Sequence, residues 1–299
     1  MKRTMYCLGT VQFGMDYGIQ GARRLSDEKI NRIIEYALNH GIHTFDTASV
    51  YGEAENVIGH YLRHRSDSVW DVHLISKLDS AAFDYVPKKR WGEIAKEHAR
   101  KSMDTLGIDQ FDTYLLHNAA YIFDRDAVRA LDEVREMGLT KKIGVSVYTP
   151  SEAMKALEYD EIKAVQVPYN VFDHRLDKCG FFDRIKDRDI DIYVRSTLLQ
   201  GLLTMDIECL PPKMEFAKKY LQSFAEICAR YSVTHLQAAI GYIKKHEGIN
   251  YIVFGVDNLE QLKEYIFVDS ENISDDMVDE LSNEFENVEE KLVNPTLWK

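Results

Sequence analysis

Eight short apolar runs recur along the chain, and each is followed by a stretch in which apolar residues return at helical spacing. The runs cover residues 5–10, 42–46, 72–77, 112–117, 142–146, 164–166, 190–196 and 251–254. Helical stretches are read after Ser26, from Glu53, at 91–106, at 127–137, after Ser151, around 179–188 and over 214–246. The first of them shows the logic. Ile30, Ile33, Ile34, Ala37 and Leu38 share one face, Asp27 and Glu28 suit its N-terminus, and Gly41 suits its end. Eight strand-helix units in about 250 residues, with no low-complexity linker, predict a single (β/α)₈ (TIM-type) barrel, α/β in class. Residues 1–299 are read as one domain, with an acidic helix at about 274–292 as a C-terminal helical extension. A doubly wound sheet with a second domain competes, but no strand-to-helix turn carries G-x-G-x-x-G and no phosphate-binding G-x-x-x-x-G-K-[ST] occurs.

The charge balance narrows the partners. Lys and Arg number 37 against 49 Asp and Glu, a net −12 that opposes nucleic acid and anionic membrane surfaces. No apolar run reaches membrane-spanning length, and the N-terminus lacks a signal-peptide core, so the expected location is cytoplasmic. Cys7, Cys179, Cys209 and Cys228 lie far apart without paired spacing, which argues against a zinc site or a redox dithiol and for reduced packing residues. The expected partner is a small molecule. Oligomeric state is not encoded in any readable feature.

In such a barrel the active site gathers at the C-terminal ends of the strands. Asp46, Lys77, His117, Ser146, Gln166 and Arg195 stand at the ends of strands two to seven, and a purely structural barrel has no reason to put six polar side chains there. Tyr51 lies five residues beyond Asp46. Its phenol, with a reference pKa near 10, is a poor acid at neutral pH unless a cation helps it hold the forming phenolate. Lys77 suits that task, Asp46 suits pairing with Lys77, and His117 suits orienting a carbonyl. The chemistry these groups fit is proton donation paired with hydride transfer.

Gly41-x₄-Asp46-Thr47-Ala48-x₂-Tyr51-Gly52-x-Ala54-Glu55-x₂-Ile58-Gly59 resembles the signature of the aldo-keto reductase family, as does the run Asp112 to His117. Gly144-Val145-Ser146, Gln166-Val167-Pro168-Tyr169-Asn170, Gln200-Gly201-Leu202-Leu203 and Gly255-x₅-Gln261-Leu262 continue the likeness in family order over nearly the whole chain. The resemblance implies an NAD(P)-dependent carbonyl reductase in which Asp46, Tyr51, Lys77 and His117 form the catalytic tetrad. It implies further that Ser146 and Gln166 hold the nicotinamide carboxamide and that the loop from Ser196 through Leu198 to Gly201 meets the pyrophosphate. Gly9, Thr10, Arg195, Gly255, Gln261 and Tyr265 complete the expected coenzyme contacts, and no metal is expected. Three departures qualify the likeness. Val147 stands where the family often has Asn, Arg195 where many members place an aromatic ring against the nicotinamide, and residues 255–265 lack the usual cations for a 2′-phosphate. The expected coenzyme is NADP(H), with NAD(H) also admissible.

Two rival readings remain. A metal-dependent barrel hydrolase would draw on His43, Asp46, His73 and His117. However, His43 and Asp46 face opposite sides of a strand, and His73 lies about 13 Å deeper than Lys77 at strand rise. A regulatory or scaffold protein on the same fold need not keep all four tetrad residues. The substrate pocket is expected from loops at 79–89, 119–126 and 204–213, with Phe83, Tyr85 and Tyr121 either lining it or covering the barrel rim.

Overall fold

A computed structural model describes residues 4–19, 21–65, 72–268 and 273–298. Its strands are β1 (Met5–Gly9), β2 (Thr44–Asp46), β3 (His73–Leu78), β4 (Phe111–Leu116), β5 (Thr140–Ser146), β6 (Ile162–Pro168), β7 (Asp191–Arg195) and β8 (Tyr251–Phe254). They pair in sequence order, all parallel, and β1 closes on β8, giving the (β/α)₈ barrel that the alternation predicts. Ile75, Leu115, Ala164, Tyr193, Cys7 and Val253 fill the barrel interior as one apolar cluster. Side chains alternate along a strand, so the next inward position toward each C-terminal end lies two residues on. Those positions are Lys77, His117, Gln166, Arg195, Gly9 and Gly255. One packed layer of the barrel therefore sets the floor of the site.

A local irregularity aims part of that layer. Between Ile143 and Gly144 the β5–β6 register shifts. A Cβ on Gly144 would come within 2.0 Å of the Ala164 carbonyl oxygen, so only glycine fits the bulge. Beyond it, Ser146 falls directly opposite Gln166.

The outer helices follow their local signals. Thr149 and Glu152 form a capping box that opens Pro150–Ala156, and Thr234 with Gln237 does the same for His235–Lys245. Trp91–Leu106 stops at Gly107, whose φ of +70° lets its N–H reach the Met103 carbonyl. Two expected helices are interrupted. The stretch expected near 179–188 is helical only over Phe181–Ile185, opened by Gly180 at φ +69° after a separate turn at Arg175–Lys178, and the acidic extension runs from Asp275 to Glu284, with a separate turn at Glu290–Val293. The break falls at Phe285, which is buried edge-on against Phe172. Anchoring that ring in the core takes precedence over continuing the helix. Among the described residues no helix is long and apolar enough to cross a membrane. The four cysteines are free; Cys7 and Cys228 are buried, and Cys209 is exposed.

Candidate active site

The loop after β2 is held by backbone contacts more than by side chains. Gly14, which ends the short helical turn Val11–Gly14 in the first βα loop, packs so close to it that a Cβ there would sit 1.6 Å from the Tyr51 carbonyl oxygen. Gly52 has φ +56°, its own Cβ would meet the Gly14 oxygen at 2.4 Å, and the Glu53 N–H donates to that same oxygen at 3.2 Å. Two glycines thus interlock and fix Tyr51 between them. On the far side, Ser76 donates to the buried Glu55 carboxylate at 2.7 Å, tying the helix Ala54–His64 to β3. Burial pushes the Glu55 carboxyl pKa up, partly offset by hydrogen bonds from Ser76 and Ser102.

Lys77 is fully buried, which is tolerable only because its charge is met at once. Its Nζ donates to Asp46 Oδ1 at 2.8 Å and Oδ2 at 2.9 Å, to the Thr47 carbonyl at 2.8 Å and to the Tyr51 hydroxyl at 3.3 Å. Asp46 in turn accepts from Gln166 Nε2 at 2.7 Å, and Gln166 Oε1 accepts from the Ser146 hydroxyl at 3.0 Å. A continuous line of hydrogen bonds therefore joins Ser146, Gln166, Asp46, Lys77 and Tyr51. Thr10 closes the floor, donating its N–H and its hydroxyl to the Asp46 carbonyl, each at 3.0 Å.

The electrostatics follow from burial. Desolvation opposes the Lys77 charge, but Asp46 and then Tyr51 outweigh it, so the ammonium's pKa is raised. Desolvation also raises the Tyr51 phenol, with Lys77 pulling the other way, so the group is a loaded proton at neutral pH. His117 stands edge-on to the Tyr51 ring, centroids 5.8 Å apart. Burial, then Lys77, then Arg195 hold its imidazole down to about 3, so it is neutral at physiological pH. Its Nδ1 is buried without a hydrogen-bond partner among the described residues.

These groups border a cleft of about 700 Å³. The cleft brings together Asp46, Tyr51 and His117 with every expected coenzyme contact: Gly9, Thr10, Ser146, Gln166, Arg195, Ser196, Leu198, Gly201, Gly255, Gln261 and Tyr265. Lys77 lies beneath its wall. The donor set suits a nicotinamide coenzyme. Ser146 and Gln166 present a hydroxyl and an amide side by side, and the Gln12 amide oxygen is buried without a partner against Gly255. In the loop after β7, Ser196, Leu199 and Gln200 all have positive φ, backbone strain of the kind found where a loop is shaped to a ligand.

Other expectations are redirected. Phe83, Tyr85 and Tyr121 do not line the cleft. Phe83 stacks on Trp91 at 4.5 Å, Tyr121 donates to Asp84 beside it, and Tyr85 projects into solvent, so this aromatic group covers the rim. Of the three loops expected to shape the pocket, only Thr204 from the third reaches the cleft. His73 pairs with Asp112 at the opening of β3, far from His117. Residues not singled out in the sequence do line the cleft, among them Gln12, Tyr17, Tyr148, Gln200, Thr234 and Glu264. Gln200 opens the family-like run that ends at Leu203, Gln12 lies just past Thr10, and Tyr148 closely follows Ser146. Those were the available signals. Arg195 lays its guanidinium over the Tyr148 ring at 4.3 Å and donates to the Val147 carbonyl at 2.7 Å and to Ser196 Oγ at 3.3 Å.

A family model described as Aldo/keto reductase family matches residues 6–283. An "NADH-specific methylglyoxal reductase" of Escherichia coli (strain K12) is 26% identical over 276 residues, 82% of this chain and 84% of that one. A "Glyoxal reductase" of Bacillus subtilis (strain 168) is 27% identical over 202 residues, 68% of each chain. Among solved structures, a glycerol dehydrogenase from Gluconobacter oxydans superposes with a TM-score of 0.72 at 19% identity, covering 95% of this chain and 94% of that one, a likeness of fold.

Proposed function

This chain belongs to the aldo/keto reductase family, and from that premise we propose that it reduces an aldehyde or ketone to an alcohol with NAD(P)H, Tyr51 giving the proton. The observation that carries the assignment of roles is the Lys77 ammonium, fully buried and shared between both Asp46 oxygens and the Tyr51 hydroxyl. A buried cation beside a phenol stabilises the phenolate more than the phenol, and so eases proton release as the carbonyl oxygen gains charge. Asp46 holds Lys77 in place. His117, neutral across the physiological range, serves as a hydrogen-bonding group that orients the carbonyl oxygen over Tyr51. A bound reduced nicotinamide supplies the hydride. Ser146 and Gln166 would hold its carboxamide, Arg195 would flank the ring, and Gly9, Thr10, Ser196, Leu198 and Gly201 would follow the chain of the coenzyme toward Gly255, Gln261 and Tyr265.

Coenzyme choice turns on the far end of the cleft. Asp257, Gln261 and Glu264 line it, and among the described residues no lysine or arginine does. Lys263 turns away to Glu260 and toward the Tyr36 ring. Each charge-assisted contact to a 2′-phosphate is worth about 1.5–3 kcal/mol, and this end offers none from a cation. NADPH and NADH are therefore both expected to serve, with discrimination under about a hundredfold in kcat/KM. Methylglyoxal and glyoxal, which the relatives' names suggest, are the first substrates to try. Following coenzyme oxidation with each, under both coenzymes, is the test. No turnover of any reactive aldehyde would leave a coenzyme-binding regulatory or scaffold protein in its place.

A further inference from the structure

Among the described residues lining the cleft, Arg195 is the one lysine or arginine. Lys77 is screened behind the wall and its charge is taken by Asp46, while Arg195 is half-buried and donates to a carbonyl and a hydroxyl, with no carboxylate partner among the described residues. A guanidinium has five N–H donors, and two are spent here. The Tyr148 ring under one face and the Val147 carbonyl at one corner hold its plane still, so a further hydrogen bond loses little side-chain freedom. Its position matters as well. After burial and Lys77, Arg195 is the next cause of the depressed His117 basicity, and its charge also acts on Tyr51. The guanidinium is thus within electrostatic reach of both groups that face the carbonyl. Asp257 and Glu264, on the loop and helix after β8, also line the cleft and repel anions, so among these charged groups Arg195 is the one that attracts a negative group.

We propose that Arg195 recognises an anionic group on the substrate, so that the preferred carbonyl compounds carry a carboxylate or a phosphate near the reacting carbon. This rests on the reductase reading above and names the substrate class for that same site. It agrees with a place for Arg195 beside the nicotinamide, since a fixed cation there serves ring and substrate together. The neutral state of His117 leaves the anion one cation to choose.

Two matched pairs test it: glyceraldehyde 3-phosphate against glyceraldehyde, and succinic semialdehyde against butanal, each with saturating reduced coenzyme. In the unaltered enzyme at low salt the charged member of at least one pair should be favoured about 10- to 100-fold in kcat/KM. The ratio should shrink as ionic strength rises. A preference in the first pair alone assigns a phosphate, and in the second alone a carboxylate. Arg195→Met should bring the ratio close to one and Arg195→Lys should restore part of it. A change in coenzyme binding affects both members of a pair and cancels in the ratio. Ratios near one in the unaltered enzyme, or a ratio that survives Arg195→Met, overturn the proposal while leaving the reductase reading intact. If none of the four compounds is turned over while methylglyoxal or glyoxal is, this proposal alone falls; if no aldehyde is turned over, both fall. The ratio in the unaltered enzyme needs no variant, so a misfolded Arg195→Met cannot shield the proposal.

Discussion

The two ends of the cleft are built on different principles. At the Tyr51 end, Asp46, Lys77, Ser146 and Gln166 are all buried, each charge is answered by a named partner, and all four sit on strands whose register fixes them. At the Asp257 end, Asp257 and Gln261 are half-buried, Glu264 is exposed, and all three lie on the loop and helix that follow β8. There the hydrogen bonds are local, such as the Asp257 N–H to Gln261 Oε1 at 2.7 Å. The first end cannot change one member without orphaning another. The second can exchange side chains while the barrel stays as it is.

Substitutions should expose that contrast, and the largest effect belongs to the buried end. Tyr51→Phe is expected to lower carbonyl reduction roughly 10²- to 10⁴-fold with coenzyme affinity nearly unchanged, because a positioned acid is lost and little else. Steady-state rates beside a coenzyme fluorescence titration would check this, and near-full activity would remove Tyr51 from the proton-donor role. Lys77→Met should cause a similar loss and also cost about 3–5 kcal/mol of stability, since Asp46 is left buried with its cation gone. Any residual activity should have its alkaline limb moved further up in pH, because Lys77 is the group that opposes the burial-driven rise of Tyr51.

At the Asp257 end the expected change is smaller and selective. Asp257→Lys should move the NADPH/NADH ratio of kcat/KM toward NADPH by about tenfold, through one new charge-assisted contact, with folding stability little altered. An unmoved ratio would put the adenosine elsewhere. The smallest expected effect is a flat response. With His117 neutral down to about 3 and Tyr51 raised by burial, reduction should show no inflection near 6.5. Stability should still decline as pH falls below about 6.5, because the unfolded chain then binds a proton at His117 that the folded chain refuses until about 3. A rate inflection near 6.5 would return His117 to its ordinary titration range.

The same contrast explains what could be read from the sequence. Lys77, His117, Gln166 and Arg195 were legible because strand alternation places them two residues beyond an apolar interior layer, and that periodicity is written in the chain. Tyr148, Tyr17 and Gln200 were not, because they belong to loops, and what brings Tyr148 to the cleft wall is a contact with Arg195 some 47 positions away in sequence. Phe83 and Tyr121 have the composition of pocket residues, yet Trp91 draws them into a stack of their own. The break in the acidic extension at Phe285 was hidden for a related reason. Helical spacing shows which residues are apolar, but it does not show that one of them is held by Phe172 in another part of the fold.

The interlock of Gly14 with Gly52 carries a consequence for how such a protein can diversify. Tyr51 is located mainly by main-chain atoms of the loops after β1 and β2, with Lys77 on its hydroxyl and His117 against its ring. The loop after β4 beyond His117, and the loop after β7, are consequently expected to accept lengthening, shortening or exchange with little movement of the phenol. Inheritance can act on what the barrel accepts as a guest while the acid that treats each guest stays in one place, so substrate range and reaction type evolve on separate parts of the chain.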